Sequence, residues 1–324
     1  MRIPIRLLFA LLAALAGLPA AAQEAATYPS RPVRLLVPNA PGSSIDTMSR
    51  IFAARMGEQL GQTVFVENRD GAGGLIGVEA GKNAKPDGYT LICGSNGSML
   101  IAPLLRKNVP YDAINDFALI GSFAVTPNVL VVHPNLPVHN VRELVDYARA
   151  NRTSINMASA GVGSQSHLGG VLLMTMADFE SLHVPHKGGG PSVNSVAAGQ
   201  THWTFVPAPA VMSFVRNGRL RAIGHSLPRR SVTLGDMPAV AETVPGYDYS
   251  GWGGLLAPKG TPQAIIDKVH AAMLRTVALP EVRNGFATQG AEVSTSSPEE
   301  FRKFLAQDAA NTKKVIEAAR IRPE

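Results

Sequence analysis

The chain has 324 residues, of which 45% are hydrophobic, and this is enough for a globular protein of two domains. Its 30 basic and 24 acidic residues give a formal charge of +6, but there is no basic run and aromatic residues are only 6%, so we expect no nucleic-acid partner. A single cysteine, Cys93, excludes an internal disulfide bond.

The first 22 residues have the pattern of a secretory signal peptide. Arg2 and Arg6 precede an apolar stretch at residues 7–18, and alanines at residues 20–22 supply the small side chains of a cleavage site. The apolar stretch is too short to cross a bilayer, and no later segment has the roughly 20 uncharged apolar residues of a spanning helix. We therefore expect cleavage after Ala22 and an exported, soluble mature protein.

Residues 33–50 predict a strand, a loop and a helix in direct succession. The apolar run Val33–Val37 is typical of a buried parallel strand, and apolar residues recur at helical spacing afterwards. Ser43 with Asp46 three residues later fits a capping box, in which the hydroxyl accepts a backbone N–H and the carboxylate reaches back. Residues 39–44 therefore join a strand's carboxyl end to a helix's amino end, where unpaired amides and the helix dipole favour an anion. An ordinary turn that binds nothing has the same pattern.

Further strand–loop–helix units follow. Strands are predicted at residues 63–66 and 89–93, the glycine-rich residues 71–74 lead into a helix that ends at Lys82, and residues 94–98 form a second small-residue loop that opens a helix. This repetition predicts an α/β fold with a doubly wound, mainly parallel sheet.

Two long extended stretches divide the chain into domains. Residues 117–133 form a nearly continuous extended pattern broken at residues 126–128, and residues 247–257 form a second one. We interpret them as crossovers by which the chain leaves one sheet and later returns to it. Predicted domain I comprises residues 23–122 and 248–324, and domain II comprises the inserted residues 123–247. This arrangement predicts a ligand cleft between the domains and a hinge at the crossovers.

The remaining elements follow the same alternation. Strands are predicted at residues 155–158, 181–185, 203–206 and 220–226, a helix ends at Met176, and the last helices occupy residues 262–279, 280–288 and 298–319. Pro262 and Pro298 lie at favourable first-turn positions of their helices.

Motifs for catalysis or metal binding are incomplete. The glycines at residues 71–77 do not have the spacing of a nucleotide-binding loop, and Ser164 and Ser166 lack the G-x-S-x-G frame of an α/β-hydrolase. His183 and His186 are three residues apart on a predicted strand, which directs them to opposite faces, and no cysteine or acidic residue lies at ligand spacing. We expect no metal site, no cofactor and no reaction centre.

Four small-residue loops remain, at residues 39–44, 94–98, 159–166 and 187–192, each between a strand and a helix. Because the carboxyl ends of the strands face the cleft in open α/β sheets, these loops would line it from both domains. Their amides and hydroxyls can hold carboxylates without a dominant arginine clamp. The pattern favours a binding cleft over a catalytic one, and four ordinary turns are the alternative.

In the order of its motifs the sequence resembles the tripartite tricarboxylate transporter substrate-binding proteins, also called the Bug family. The similarity covers essentially the whole mature chain. It rests on VPNAPG at residues 37–42 with Asp46, VENR at 66–69 followed by GAGG at 71–74, PDGYTL at 86–91, SAGVGS at 159–164 with His167, HVP at 183–185 with KGGGP at 187–191, GRLRA at 218–222, and APKGTP at 257–262.

The resemblance implies a two-domain periplasmic binding protein of type II, a Venus-flytrap fold in which each domain contains a doubly wound, mainly parallel sheet. Such a protein closes on a small carboxylated solute and hands it to a membrane complex of one large and one small integral subunit. We expect it to be a monomer.

The resemblance also implies the binding residues. The loops matching residues 41–44 and 160–164 would grip carboxylates through main-chain amides and ordered water, and those matching 95–98 and 187–189 would line the cleft. The expected ligand-binding residues are Asn39, Ala40, Pro41, Gly42, Ser43, Ser44, Asp46, Ser95, Asn96, Ser98, Ala160, Gly161, Val162, Gly163, Ser164, His167, Lys187, Gly188, Gly189 and Val206.

This sequence departs from the family pattern at three places. Asn39 replaces the usual aromatic residue, Ser43 and Ser44 partly replace a glycine pair, and His186 replaces a tyrosine. In addition, Val206 follows Phe205 where the family often has an aspartate that could pair with a ligand ammonium. We therefore expect a non-amino di- or tricarboxylate or an aromatic acid. The alternatives are a periplasmic hydrolase or lyase that uses Ser164 and His167, which the missing hydrolase motif argues against, and a ligand sensor.

Overall fold

The computed structural model describes residues 27–152 and 154–322. The predicted signal peptide, residues 1–22, lies outside the described residues. The described chain forms two α/β units, each built on its own mixed sheet, which confirms the predicted two-domain α/β architecture. None of the described helices is both long and apolar enough to span a membrane.

Strands and helices alternate along most of the described chain. The strands are β1 (Val33–Val37), β2 (Val64–Asn68), β3 (Thr90–Ser95), β4 (Phe117–Thr126), β5 (Asn128–Val132), β6 (Asn156–Ser159), β7 (Leu182–Pro185), β8 (Trp203–Pro207), β9 (Arg221–His225), β10 (Gly251–Pro258) and β11 (Glu292–Val293). The helices of eight or more residues are α1 (Ser44–Leu60), α2 (Leu75–Lys82), α3 (Val141–Ala150), α4 (Gln165–Met176), α5 (Gly189–Ala197), α6 (Ala208–Arg216), α7 (Gln263–Ala278), α8 (Pro280–Thr288) and α9 (Pro298–Ala318).

The βα units supply the parallel strand pairs of both sheets. The first sheet has the order β11-β4-β10-β3-β1-β2, and the second has the order β7-β6-β8-β5-β9. In the first, β1 is parallel to β2 and β3, and in the second, β6 is parallel to β7 and β8. The strands next to the crossovers run antiparallel, since β10 pairs with β3 and β4, and β5 pairs with β8 and β9. Each sheet is therefore parallel on one side and antiparallel on the other. The expectation of mainly parallel sheets is wrong, because the strands next to the crossovers enter each sheet in the opposite direction.

Helices cover both faces of the first sheet. Leu255 of β10 packs into a core with α1, α7 and α8, whereas the next residue, Leu256, packs with α2 and α9 on the opposite face. This alternation follows from the two-residue period of a strand. It explains why β1, β3 and β10 are almost uniformly apolar, because strands covered on both faces have no solvent side.

The first crossover lies at Pro127, as the sequence predicts. β4 pairs with β10 as far as Thr126, and β5 begins in the second sheet at Asn128. Proline has no N–H for a ladder and so suits the point where the chain changes sheets. The second crossover returns to β10, which begins at Gly251, four residues after the predicted start of the extended stretch. The domain limits at residues 122/123 and 247/248 remain a prediction.

A side-chain hydrogen bond joins the two crossovers. Asn128 Nδ2 donates to the carbonyl oxygen of Tyr249 (2.7 Å), and the Asn128 amide donates to Ser226 Oγ (2.9 Å). Asn128 is fully buried, so these bonds satisfy groups that have no access to water. The two chain segments that connect the units are therefore held side by side.

The long helix α9 contacts both units. Near its start, Phe301 packs edge-to-face on Trp252 of β10, with ring centroids 5.5 Å apart. Near its end, Val315 and Ile316 join the core of the second unit. The helix thus spans the boundary between the units beside the crossovers.

We expect Gly254→Ala to destabilise the protein by about 1–3 kcal/mol, the usual range for overpacking a core. A Cβ at Gly254 would overlap the ring of Phe301 and push α9 away from β10. Urea unfolding measures the change. Gly190→Ala is the matched control, because no atom lies within 4 Å of the added Cβ there. Equal stability of the two variants would contradict the tight contact between α9 and β10.

Candidate binding cleft

The loop after β1 is held in shape by the carboxylate of Asp46. This buried group accepts hydrogen bonds from the Gly42 amide (2.8 Å), Asn68 Nδ2 (2.8 Å) and Arg50 Nε (3.1 Å). Burial opposes ionisation of Asp46, but the bonds from Arg50, Gly42 and Asn68 outweigh it and lower the pKa. Ser43 Oγ accepts from the Asp46 amide (3.4 Å), as predicted, while the carboxylate reaches back to Gly42. Asp46 therefore supports the loop from behind.

The glycine-rich loop before α2 packs directly against this first loop. A Cβ at Gly74 would lie 2.6 Å from Ser98 Cβ and 2.7 Å from the carbonyl oxygen of Pro38. Gly74 also has a φ of +100°, a conformation that favours glycine. Residues 39–44, 71–74 and 96–98 consequently meet at one edge of the first sheet.

In the second unit, the loop after β6 is closed by its own hydroxyl groups. Ser164 Oγ accepts from the His167 amide (3.3 Å), which caps α4, and donates to the carbonyl oxygen of Gly161 (2.7 Å). Ser166 Oγ accepts from the Ala160 amide (2.8 Å). The loop conformation is therefore fixed without a ligand.

The loop after β7 lies alongside it. The amide of His186 donates to Ser159 O (2.9 Å), and the amide of Gly188 donates to Ala160 O (3.2 Å). Lys187 between them is exposed. The two second-domain loops predicted from sequence thus share one edge of the second sheet.

Two stacked imidazoles support the loop after β6. The rings of His167 and His183 lie 3.8 Å apart and 10° from parallel. His167 Nδ1 accepts from the Gly163 amide (3.1 Å), and His183 Nε2 is 2.5 Å from Ser159 Oγ. Burial, and then the charge of His183, lowers the pKa of His167 to about 4, and burial also lowers the pKa of His183. Both rings are therefore neutral at pH 7, and neutral His167 can accept the Gly163 bond.

The two walls of the cleft meet near Gly163. A Cβ there would overlap Leu105 of the first unit, and Gly163 has a φ of +74°. Beside this contact lies a cavity of about 350 Å³. It is lined by Ala72, Gly73, Gly97, Ile101, Ala102, Leu105 and Arg106 from the first unit, by Val162, Gly163, Ser164 and Gln165 from the second, and by Ile321 and Arg322. Its charged lining residues are both arginines.

Six buried polar side-chain atoms lack a hydrogen-bond partner within the described chain. They are Asn39 Oδ1, Ser44 Oγ, Asn128 Oδ1, Gln165 Nε2, His186 Nε2 and Tyr249 Oη. Two belong to the loops after β1 and β7, two to the first residues of α1 and α4, and two to the crossovers, and Gln165 lines the cavity between the units. Because an unsatisfied buried polar atom is costly, each marks a place where a ligand or water can complete the bonding.

Three predicted residues do not present their side chains to the cleft. Ser95 is part of β3, and its hydroxyl bonds to that of Ser98 (3.3 Å), which is fully buried. Val206 is 1% exposed and packs in an apolar cluster with Val129 and neighbouring valines. These side chains are engaged in packing or hydrogen bonds inside their own unit. Ligand contact by any of the predicted residues remains a prediction.

Asn96 does not line the cavity between the two units. Its neighbour Gly97 lines the cavity beside Gly163, whereas Asn96 lines a second cavity near the second crossover. The turn after β3 is a single π-helical turn, Gly97–Ile101, and consecutive residues of that turn face different sides.

Ser164 and His167 do not form a nucleophile–base pair. The hydroxyl of Ser164 bonds to Gly161 O, Ser166 Oγ and the His167 amide, and none of these partners is an imidazole nitrogen. His167 Nδ1 is engaged by Gly163. Among residues 27–152 and 154–322, no group of three or more His, Cys, Asp or Glu side chains is arranged to hold a metal ion.

Sequence reasoning missed three residues near the cleft. Gln165, the first residue of α4, has an unpartnered amide nitrogen close to Gly251, where an added Cβ would lie 3.0 Å away. Asn128 lies in the crossover, and Arg106 lines the cavity. Serine is a favoured N-cap residue, so the polar residue directly after Ser164 was a usable signal for Gln165. Nothing in the local sequence places Arg106 at a cavity, because that position depends on how the units pack.

Comparison with known proteins shows consistent similarity over the chain. Residues 48–321 match the model of the tripartite tricarboxylate transporter family receptor. The protein BugT of Bordetella pertussis is 34% identical over 291 residues, which are 89% of each chain.

Solved structures give the same result. The Rhodopseudomonas palustris protein Rpa4515, solved with adipate, has a TM-score of 0.81 and 31% identity over 92% of this chain and all of its own. The periplasmic binding protein BugD has a TM-score of 0.77 and 31% identity, with the same coverage. MatC of R. palustris, solved with bound malate, has a TM-score of 0.75 and 29% identity over 89% of this chain and all of its own.

We expect Asp46→Asn to lower the free energy of unfolding by about 1–3 kcal/mol at pH 7, because a buried carboxylate loses its charge-assisted hydrogen bonds. The folded pKa lies below the unfolded value of about 3.9, so this stability is present above about pH 4 and is lost as pH falls through the folded pKa. Urea unfolding at pH 7, 4 and 3 should show the difference from wild type shrinking below pH 4. Asp267→Asn, on the exposed face of α7, is the control. A difference that persists undiminished at pH 3 argues against this role.

The lowered pKa of His167 predicts a second, separate pH dependence of the free energy of unfolding. Its folded pKa of about 4 lies below the unfolded value of about 6.5, so its contribution is complete above pH 6.5 and falls by roughly 3 kcal/mol as the pH drops towards 4. His167→Gln should therefore lose less stability than wild type between pH 7 and pH 4. Unfolding curves at half-unit pH steps measure this, with exposed His139→Gln as the control. Parallel profiles for wild type and His167→Gln would overturn the assignment.

Proposed function

The chain belongs to the tripartite tricarboxylate transporter receptor family, a family of periplasmic solute-binding proteins and not of enzymes, and we propose that it captures a small carboxylated solute in the cleft between its two units. The solute is a non-amino di- or tricarboxylate or an aromatic acid. The protein delivers it to the integral subunits of a tripartite membrane transporter, in line with the name of the family. Export of the mature chain by cleavage after Ala22 is part of the proposal.

The unpartnered polar atoms carry this proposal. Asn39 Oδ1 and Ser44 Oγ belong to the loop after β1 and the first residue of α1, and Gln165 Nε2 and His186 Nε2 belong to the start of α4 and the loop after β7. Within the described chain these are four of the six buried side-chain polar atoms without a partner, and all four belong to the segments that we propose to bind the solute. A bound solute with oxygen atoms at both ends, together with water, would complete these bonds.

The electrostatics of the cleft favour binding of an anion. The amino ends of α1 and α4 lie at its two walls, and each brings main-chain N–H groups and the positive end of a helix dipole. The charged residues that line the 350 Å³ cavity, Arg106 and Arg322, are both basic. A cavity of this size suits a small metabolite.

Two structurally similar proteins of this family narrow the class of solute. Rpa4515 was solved with adipate and MatC with malate, and neither ligand has an amino group. In this chain the cavity between the units has no Asp or Glu among its lining residues, so it offers no side-chain carboxylate for an ammonium. Both observations favour a plain carboxylate over an amino acid.

Ligand-stabilised closure is the proposed mechanism. The crossovers at Pro127 and near Gly251 are the chain segments about which the units can rotate. A solute that bonds to both walls binds the closed form better than the open form and shifts the population towards it. The membrane subunits then recognise the closed form.

We expect at least one plain carboxylate to bind, as measured by calorimetry against adipate, malate, citrate and benzoate, with aspartate and glutamate as amino counterparts. Methyl esters of the bound acid should not bind. Tight binding of amino acids with no binding of plain carboxylates would contradict the substrate class. If none binds and denatured protein releases no carboxylate, the carboxylate proposal itself is wrong.

Ser44→Ala tests the site directly. The Ser44 hydroxyl has no partner within the described chain, so its removal should leave the stability unchanged. Loss of a hydrogen bond to a carboxylate, worth about 1.5–3 kcal/mol, should weaken binding of the identified acid roughly ten- to a hundredfold. Ser213→Ala, on the exposed side of α6, is the control. Unchanged affinity in Ser44→Ala would remove this loop from the site.

A further inference from the structure

A second cavity lies between α9 and the second crossover, apart from the loops described above. Its volume is about 640 Å³. Residues 248–252 of the crossover and the start of β10 form one side, and residues 304–311 of α9 form the other. We call it the hinge cavity, because it borders the chain segment that connects the two units.

Carboxyl groups dominate the charge of the hinge cavity. Asp248, Glu292 and Asp308 line it, and Arg229 is its one basic lining residue. Within residues 27–152 and 154–322, neither Asp248 nor Asp308 forms an ion pair. Asp248 is exposed as a whole and Asp308 is half-buried. Partial desolvation, and then the charge of Asp308, raises the pKa of Asp248 to about 6, and burial raises the pKa of Asp308. Two carboxyl groups thus line the same cavity, and neither is ion-paired within the described chain.

Aromatic side chains and an unpartnered hydroxyl complete the walls. Trp252 donates its indole N–H to Asp308 Oδ2 (2.7 Å) and packs edge-to-face on Phe304, which is 44% exposed. Tyr249 lines the cavity, is only 8% exposed, and its hydroxyl has no hydrogen-bond partner in the described chain. Burial, and then the charge of Asp308, raises the pKa of this hydroxyl. Carboxylates beside aromatic faces are the surroundings that bind organic ammonium groups.

We propose that the hinge cavity is a second ligand site, which takes a small organic cation with one or two primary ammonium groups. One ammonium binds Asp248 and Asp308, neither of which is ion-paired within the described chain, although Arg229 lines the same cavity. The Tyr249 hydroxyl supplies an oxygen acceptor, and Trp252 and Phe304 cover the alkyl part. The site is independent of the proposed carboxylate cleft, whose charged lining residues are basic.

Binding of a cation in the hinge cavity would be coupled to the relative orientation of the two units. The Tyr249 carbonyl is bonded to Asn128 of the first crossover, and α9 packs against both units. A cation held between α9 and residues 248–252 therefore ties together the segments that a closing motion must displace.

The test is calorimetry of the mature protein with 1,4-diaminobutane and ethylamine at pH 7.5, with uncharged 1,4-butanediol as the matched probe. We expect saturable binding of the amines and none of the diol. Asp308→Asn and Asp248→Asn should each weaken amine binding at least tenfold, while Asp267→Asn should not change it. Asparagine keeps an oxygen acceptor for the Trp252 indole, and an unchanged urea-unfolding midpoint verifies the fold.

The pH dependence gives a further readout. Amine binding needs ionised carboxylates, and the charged groups facing Asp248 are Asp308, Glu292 and Arg229, so affinity should fall between pH 7.5 and pH 5.5. The proposal is overturned if no amine binds, if both asparagine variants bind as wild type, or if Ser44→Ala abolishes amine binding, since that would place the amine in the cleft. Each of these results leaves the carboxylate test unaffected.

Discussion

The bond from Asn128 to the Tyr249 carbonyl is the constraint on which the cleft depends. It ties together the two crossovers, the described chain segments that run from one sheet to the other, at the level where the strands of both units end. With the crossovers side by side, the segments after β2 and β3 lie opposite the loop after β6. In the proposed closure, these two adjacent extended segments would act as the hinge about which the units rotate.

The loops that we propose to bind the solute are stabilised by hydrogen bonds within their own unit. Asp46 bonds to the Gly42 amide, Ser164 caps α4, and neutral His167 accepts from Gly163. These bonds pair main-chain amides of the loops with side chains of the same unit. They therefore hold the remaining amides of each loop in a fixed conformation before a ligand binds. The two cavities differ in the sign of their lining charge. The charged residues of the cleft cavity are arginines, whereas those of the hinge cavity are mainly carboxylates. One chain can thus keep anion binding and cation binding at separate places.

The fold was largely predictable from local pattern. The apolar runs of β1 and β10 and the small-residue loops indicated the α/β class, and Pro127 marked the crossover. Helices α3 and α6 were not predicted, although Asn140 with Glu143 is a cap signal for α3. A helix was predicted to follow residues 187–192, and α5 begins within that loop, at Gly189. α5 begins Gly-Gly-Pro and α6 begins Ala-Pro-Ala, compositions that suggest turns. Packing of Val193 and Val211 against the second sheet overrides that preference.

By itself the sequence determined which loops join strand to helix and which residues cap them, because capping depends on neighbours three residues apart. Only the tertiary structure decided which side chains face the cleft. Ser95 and Ser98 bond to each other, Val206 is core, and the positions of Arg106 and the Asp248–Asp308 pair depend on contacts between elements distant in sequence. Local sequence carries no record of such contacts, since they arise from the packing of α9 and the two sheets around the crossovers.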